Sequence, residues 1–143
     1  MGLGRTEQQV TWSAANTKTL SAATRADSDE ITIDSSVVAA SVQVRVDNQG
    51  TPASGDVLNV YIKWSNGDLD AGGGANDYDS DEYAMPLMVL DTYATNTPGE
   101  DPATRTLPID PNMGKAFKLS VDSPNAATRN MVLAARVLFR TAT

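Results

Sequence analysis

Apolar and polar residues alternate with a period of two along several stretches of the chain. In SVQVRVDN, Val42, Val44 and Val46 are interleaved with Ser41, Gln43, Arg45 and Asp47, the pattern of a strand with one buried face. DVLNVYIKW places Leu58, Val60, Ile62 and Trp64 on one face in the same way. Between them DNQGTPASGD collects Gly, Pro, Asn and Asp, residues that preset φ or bond their own backbone, so the two strands are predicted to form an antiparallel pair across a short loop.

Further along, AFKLSVD aligns Phe117, Leu119 and Val121, and NMVLAARVLFR aligns Met131, Leu133, Ala135, Val137 and Phe139, with SPNAAT breaking the pattern between them. QQVTW, TKTLSA, EITID, LMVLDTY and RTLPID are shorter candidates, each bounded by turn residues. The sum predicts an all-β, single-domain antiparallel β-sandwich of jelly-roll or Ig-like type with about 8–9 strands. A helix is the alternative for residues 13–29, which are rich in Ala. Their Thr and Ser content and the lack of a 3.6-residue apolar stripe weigh against it. Residues 1–8, with two glycines and an isolated Leu3, read as a flexible N-terminal arm that either hangs free or crosses to a neighbour. The sandwich then occupies 9–143.

The second faces of two strands are less polar than open solvent requires. The last strand presents Val132, Ala134, Arg136, Leu138 and Arg140, and the strand ending at Trp64 presents Val57, Asn59, Tyr61 and Lys63. Either a loop lies over each face, or a subunit or partner does.

Composition narrows the chemistry. Leu, Ile, Val and Phe number 28 of 143 residues, so the core is lean, filled partly by Ala, and gains from burial against a neighbour. Net charge is −7, with eleven scattered basic residues, which disfavours nucleic acid and anionic membranes as partners. Cys and His are both absent. That removes disulfides, thiolate nucleophiles, Ser-His-Asp triads and the usual transition-metal ligands. No apolar run reaches the roughly 18 residues of a membrane helix, and MGLGRTEQQV has no export-signal apolar region, so a soluble protein is expected.

NGDLDAGGGANDYDSDEY, residues 66–83, packs six carboxylates and four glycines together without a basic residue. Asp77, Asp79 and Asp81 alternate as at the start of an EF-hand loop. The sixth and twelfth positions are Glu82 and Met88, where such a loop needs Gly and a bidentate Glu. A looser calcium site and a solvated loop are the two readings, and the loop is preferred. Paired-carboxylate catalysis needs rigid placement and one raised pKa, which a Gly-Gly-Gly segment opposes. No catalytic, cofactor-binding or metal residue is assigned, and no enzymatic activity is expected. Trp12, Trp64, Tyr61, Tyr78, Tyr83 and Tyr93 are the candidates for a sugar-stacking platform, although alternation turns Trp64 toward the core.

EITIDSS, VQVRVDNQGTPASGDVLNVYIKWSNGD, DEYAMPL and LPIDPNMGKAFKLSVDS together resemble small virion structural proteins of tailed bacteriophages, in particular capsid decoration, or cement, proteins. The resemblance is one of layout over residues 8–140 and brings no functional residue with it. It implies a β-sandwich, often trimeric, on the capsid exterior, assembled in the bacterial host cytoplasm and clamping neighbouring capsomers. The partners it implies are the major capsid protein, further copies of the chain, or both. A glycan-binding module of a phage tail or fibre is the alternative.

Overall fold

The structure, a computed structural model, describes residues 2–21, 23–49, 52–93, 103–125 and 130–142. Among the described residues ten strands follow in chain order: β1 (Leu3–Gln9), β2 (Lys18–Leu20), β3 (Thr24–Asp27), β4 (Ile31–Thr32), β5 (Val37–Asn48), β6 (Val57–Ser65), β7 (Met85–Asp91), β8 (Ala103–Ile109), β9 (Ala116–Ser123) and β10 (Met131–Ala142). They form two sheets packed as a sandwich. Sheet I runs β1-β10-β5-β8, with β2 also on β10; sheet II runs β3-β9-β6-β7, with β4 also on β9. Every pairing is antiparallel.

The alternating residues meet between the sheets. Val42, Val44, Val46, Leu58, Ile62, Phe117, Leu119, Val121 and Val137 have essentially no exposed surface, and Trp64 packs its ring against Phe117 at a centroid distance of 5.4 Å. The predicted β5–β6 hairpin is corrected: β5 pairs with β10 and β8, whereas β6 pairs with β9 and β7. Alternation settled which way the side chains point, and both strands do point into the core. Their connection carries the chain from one sheet to the other, so the two apolar faces oppose each other across the sandwich instead of lying side by side.

Two edges are each built from an interrupted strand. After Gln9, opposite Arg136, the chain leaves the sheet and returns at Lys18, opposite Leu133. The excursion drops Val10 and Trp12 into the core. Across the sandwich β3 and β4 flank β9 in the same manner. Asp29 joins the two excursions: its carboxylate accepts hydrogen bonds from Thr11 Oγ1 at 2.7 Å, Ser13 N–H at 3.1 Å and Ala14 N–H at 2.8 Å. Ser13 and Ala14 have φ of 48° and 67°, a strained conformation for L residues that turns their amides toward one anion. The Thr11 hydroxyl, followed by the Ala14 amide, holds the Asp29 carboxyl below its ordinary range.

Residues 3–8, expected within an arm, belong to β1 and pair with β10 of the same chain. Thr6 and Gln8 face the inward side at a sheet edge, where no apolar alternation is demanded. Among the described residues of the 13–29 stretch no α-helix forms; the stretch contains β2 and β3.

Candidate functional site

The acidic segment 66–83 leaves the end of β6 and folds back over the outer face of sheet II. Its carboxylates hold the backbone in place. Asp77 Oδ2 accepts Leu69 N–H at 2.8 Å, Asp68 Oδ2 accepts Gly74 N–H at 2.8 Å, and Asp70 Oδ1 accepts Gly72 N–H at 3.0 Å. Asp79 is bound twice to Trp64, its Oδ2 accepting Trp64 N–H at 3.0 Å and its own N–H donating to the Trp64 carbonyl at 3.1 Å. Asp81 meets the ammonium of Lys63. Asp77, Asp79 and Asp81 therefore serve three different partners, and among the described residues no three acidic side chains converge on a point where a cation could sit.

Lys63 anchors this cover. Its side chain is 7% exposed on the outer face of β6, and it pairs with Asp27 of β3 at 2.7 Å as well as with Asp81. Burial pulls the ammonium downward, but the hydrogen bonds it donates to Asp27 and Asp81, and their charges, more than offset this and leave Lys63 above its ordinary range. The same contact with Lys63 holds the Asp81 carboxyl low. Arg25 lies over the Tyr61 ring at 4.5 Å, donates to Ser120 Oγ at 2.8 Å and stands 3.6 Å from Asp81. Nearby, Tyr78 O–H and Asn76 N–H both donate to Glu30, and Lys118 sits 4.6 Å above the Tyr78 ring. The Tyr78 hydroxyl, then Asn76, lowers the Glu30 carboxyl, while burial, aided by Glu30, raises Tyr78. The segment thus meets the Lys63 end of the outer face of β6, while Arg25 of β3 lies over Tyr61.

The outer face of β10 differs: the acidic segment does not lie over it. Val132, Ala134 and Leu138 are half-buried and Arg136 and Arg140 exposed. On this face Arg136 meets Gln9 and Glu7, and Arg5 meets Glu7, all within sheet I. Two adjoining hollows of about 250 and 280 Å³ lie on it, sharing Gln43 and Arg136.

A third feature is apolar. Along β7 and its flanks Tyr83, Met85, Val89 and Tyr93 are 76%, 40%, 54% and 47% exposed. A hollow of about 230 Å³ beside them is walled by Asn59, Tyr61, Pro86, Leu87 and Val89. β7 is an edge strand, and a bulge between Val60 and Tyr61 shifts its register.

The aromatic candidates are scattered. Trp12 is core, Tyr61 lies beneath Arg25, and Tyr83 and Tyr93 belong to the β7 ribbon. Trp64 and Tyr78 line a common cleft, of about 290 Å³, together with Leu69, Asp77, Asp79 and Met113. The sequence reading missed Lys63 as an anchor. The available signal was a lone cation between Ile62 and Trp64 in a strand otherwise buried on one face.

No protein-family model matches the sequence, and no curated protein matches it. Similar solved structures include wild-type BuGH86 in complex with neoagarooctaose, at 8% identity and a TM-score of 0.48, over 99% of this chain and 20% of that one. FLHE is similar at 14% identity and a TM-score of 0.44, over 100% of both chains. The infectious bursal disease virus VP2 subviral particle is similar at 12% identity and a TM-score of 0.29, over 98% of this chain and 41% of that one. The chain thus spans about a fifth of BuGH86 and two fifths of VP2. At these values the likenesses carry no argument about activity or partners.

Proposed function

We propose that this chain is a non-catalytic structural protein of a bacteriophage virion, a decoration protein that sits on the capsid exterior and clamps neighbouring capsomers through the apolar ribbon along β7. The observation that carries this reading is the contrast between the two kinds of surface. The carboxylates that chemistry would need are spent on backbone amides and on Lys63. Large apolar side chains stand exposed on an edge strand beside a hollow, the arrangement of a contact surface. A clamp needs no turnover: binding the assembled shell more tightly than its separated subunits stabilises the shell by mass action, and many copies on one lattice act together. The excess of negative charge suits an exterior that repels nucleic acid.

The test is cosedimentation with DNA-free heads of the source phage. Wild-type protein is expected to pellet with the heads. Tyr83→Ala with Val89→Lys is expected to weaken binding by about tenfold or more, with little change in melting temperature because both side chains are exposed. Wild-type protein that stays in the supernatant at every concentration overturns the proposal.

One observation favours the second reading, a glycan-binding module of a tail or fibre. Trp64 and Tyr78 share a cleft with the carboxylates of Asp77 and Asp79, a mixture of ring and acceptor groups that suits a sugar. A glycan array with signal that Tyr78→Ala abolishes would favour it over the capsid role.

A further inference from the structure

Among the described residues the outer face of sheet I carries more basic than acidic side chains. Strand register places Arg5 directly opposite Arg140, and Arg136 and Arg45 extend the row on β10 and β5. Like charges directly opposite on neighbouring strands repel. Two carboxylates share the face with them: Glu7 reaches Arg5 at 3.8 Å and Arg136 at 3.6 Å, and Asp47 stands on the same side of β5 as Arg45, so four arginines face two carboxylates. Arg45 and Arg140 have no ion-pair partner among the described residues. Four of the eleven basic residues thus gather on one sheet face of a chain whose net charge is −7. No described loop lies over the face, which is hollowed and lined by polar side chains such as Ser41, Gln43 and Thr106.

The complementary surface is on the same molecule. Segment 66–83 presents Asp70, Asp77, Asp81 and Glu82 exposed, and it lies against sheet II, the opposite layer of the sandwich. No copy can satisfy its own arginine face with its own acidic segment. We propose that copies of this chain associate head to tail, the acidic 66–83 segment of one copy seated on the Arg5–Arg45–Arg136–Arg140 face of the next. A net charge of −7 opposes association of copies in most orientations; the loop-to-arginine orientation brings opposite signs together and so fixes the register. The contact is heterologous, joining two different patches, and therefore produces a ring or an open chain and not a two-fold dimer. This association does not depend on the role proposed at the capsid.

Sedimentation velocity on purified protein over a concentration series tests it. Association is expected at about 0.05 M salt and a shift to monomer at about 0.5 M, where screening shortens to a few ångströms. Arg45→Glu with Arg140→Glu, and separately Asp70→Lys with Glu82→Lys, are each expected to weaken self-association by about tenfold or more. Mixing the two variants is expected to restore it, because each then offers the other a patch of opposite sign. Misfolded variants would not rescue one another. Wild-type protein that remains monomeric at low salt throughout the series, variants that associate as the wild type does, or a mixture that stays monomeric would each overturn the proposal.

Discussion

Replacing Lys63 with Met removes the buried cation that pairs with Asp81 and helps to fasten the acidic segment to sheet II, with Arg25 farther off at 3.6 Å, while keeping an unbranched apolar stem of comparable reach. Removing one partner of a fully buried ion pair costs about 3–5 kcal/mol, and an exposed pair contributes about 0–1 kcal/mol. Lys63 is 7% exposed, but Asp27 and Asp81 are 37% and 65% exposed and keep much of their hydration when it is lost. The cost therefore falls between the limits, at about 2 kcal/mol. For a domain of this size that lowers the melting temperature by roughly 5–8 °C. The pH dependence adds a second readout. Asp81 has a lowered pKa in the folded protein, so its contribution is present above its unfolded value of 3.8 and is lost as pH falls through the folded value. Lys63 has a raised pKa, so its contribution is complete below 10.5 and is lost as pH rises through the folded value. Lys63→Met should therefore retain its stability difference from the wild type across the neutral range and lose it as pH falls below 3.8 and through the folded value of Asp81. Calorimetry between pH 2 and 9, with hydrogen exchange at the Leu69 and Gly74 amides, measures both. A neutral-pH melting temperature within about 1 °C of the wild type, together with unchanged exchange at those amides, would refute the anchoring role.

Two further outcomes follow from backbone geometry. Gly114→Ala would set a Cβ 2.7 Å from the Ser65 carbonyl and 3.2 Å from the Trp64 ring, so a loss of roughly 1–3 kcal/mol is expected by chemical denaturation. Ala14→Gly should act in the opposite direction: its φ is 67° and its amide bond to Asp29 survives, so relief of strain is expected to raise stability by about 0.5–1 kcal/mol.

The legibility of this fold in its sequence followed burial. β5, β6, β9 and β10 carry apolar residues at every second position because both sheets press on those positions, and their core residues could be named from the pattern alone. β1 could not be read in the same way, since an edge strand whose inward positions hold Thr6 and Gln8 shows no alternation. β3, four residues within an Ala-, Thr- and Ser-rich stretch, owes its conformation to its partner β9. The β5–β6 pairing failed for a different reason: a period of two records the face a side chain takes and not the sheet to which its strand belongs. The candidate surfaces were half legible. The semi-apolar outer faces of β6 and β10 were visible as anomalies, but only the structure shows that the acidic segment meets the Lys63 end of the first and that no described loop lies over the second. That covering depends on Lys63 meeting Asp27 and Asp81, 36 and 18 residues away, a distance at which local patterns say nothing.

Electron cryomicroscopy of the source virion, with this chain carrying a density label, tests the central claim most directly. A regular array of labels on the outer surface of the head, at the junctions between capsomers, is the predicted result. Labels confined to the tail or its fibres, or a virion without the chain, would contradict the account.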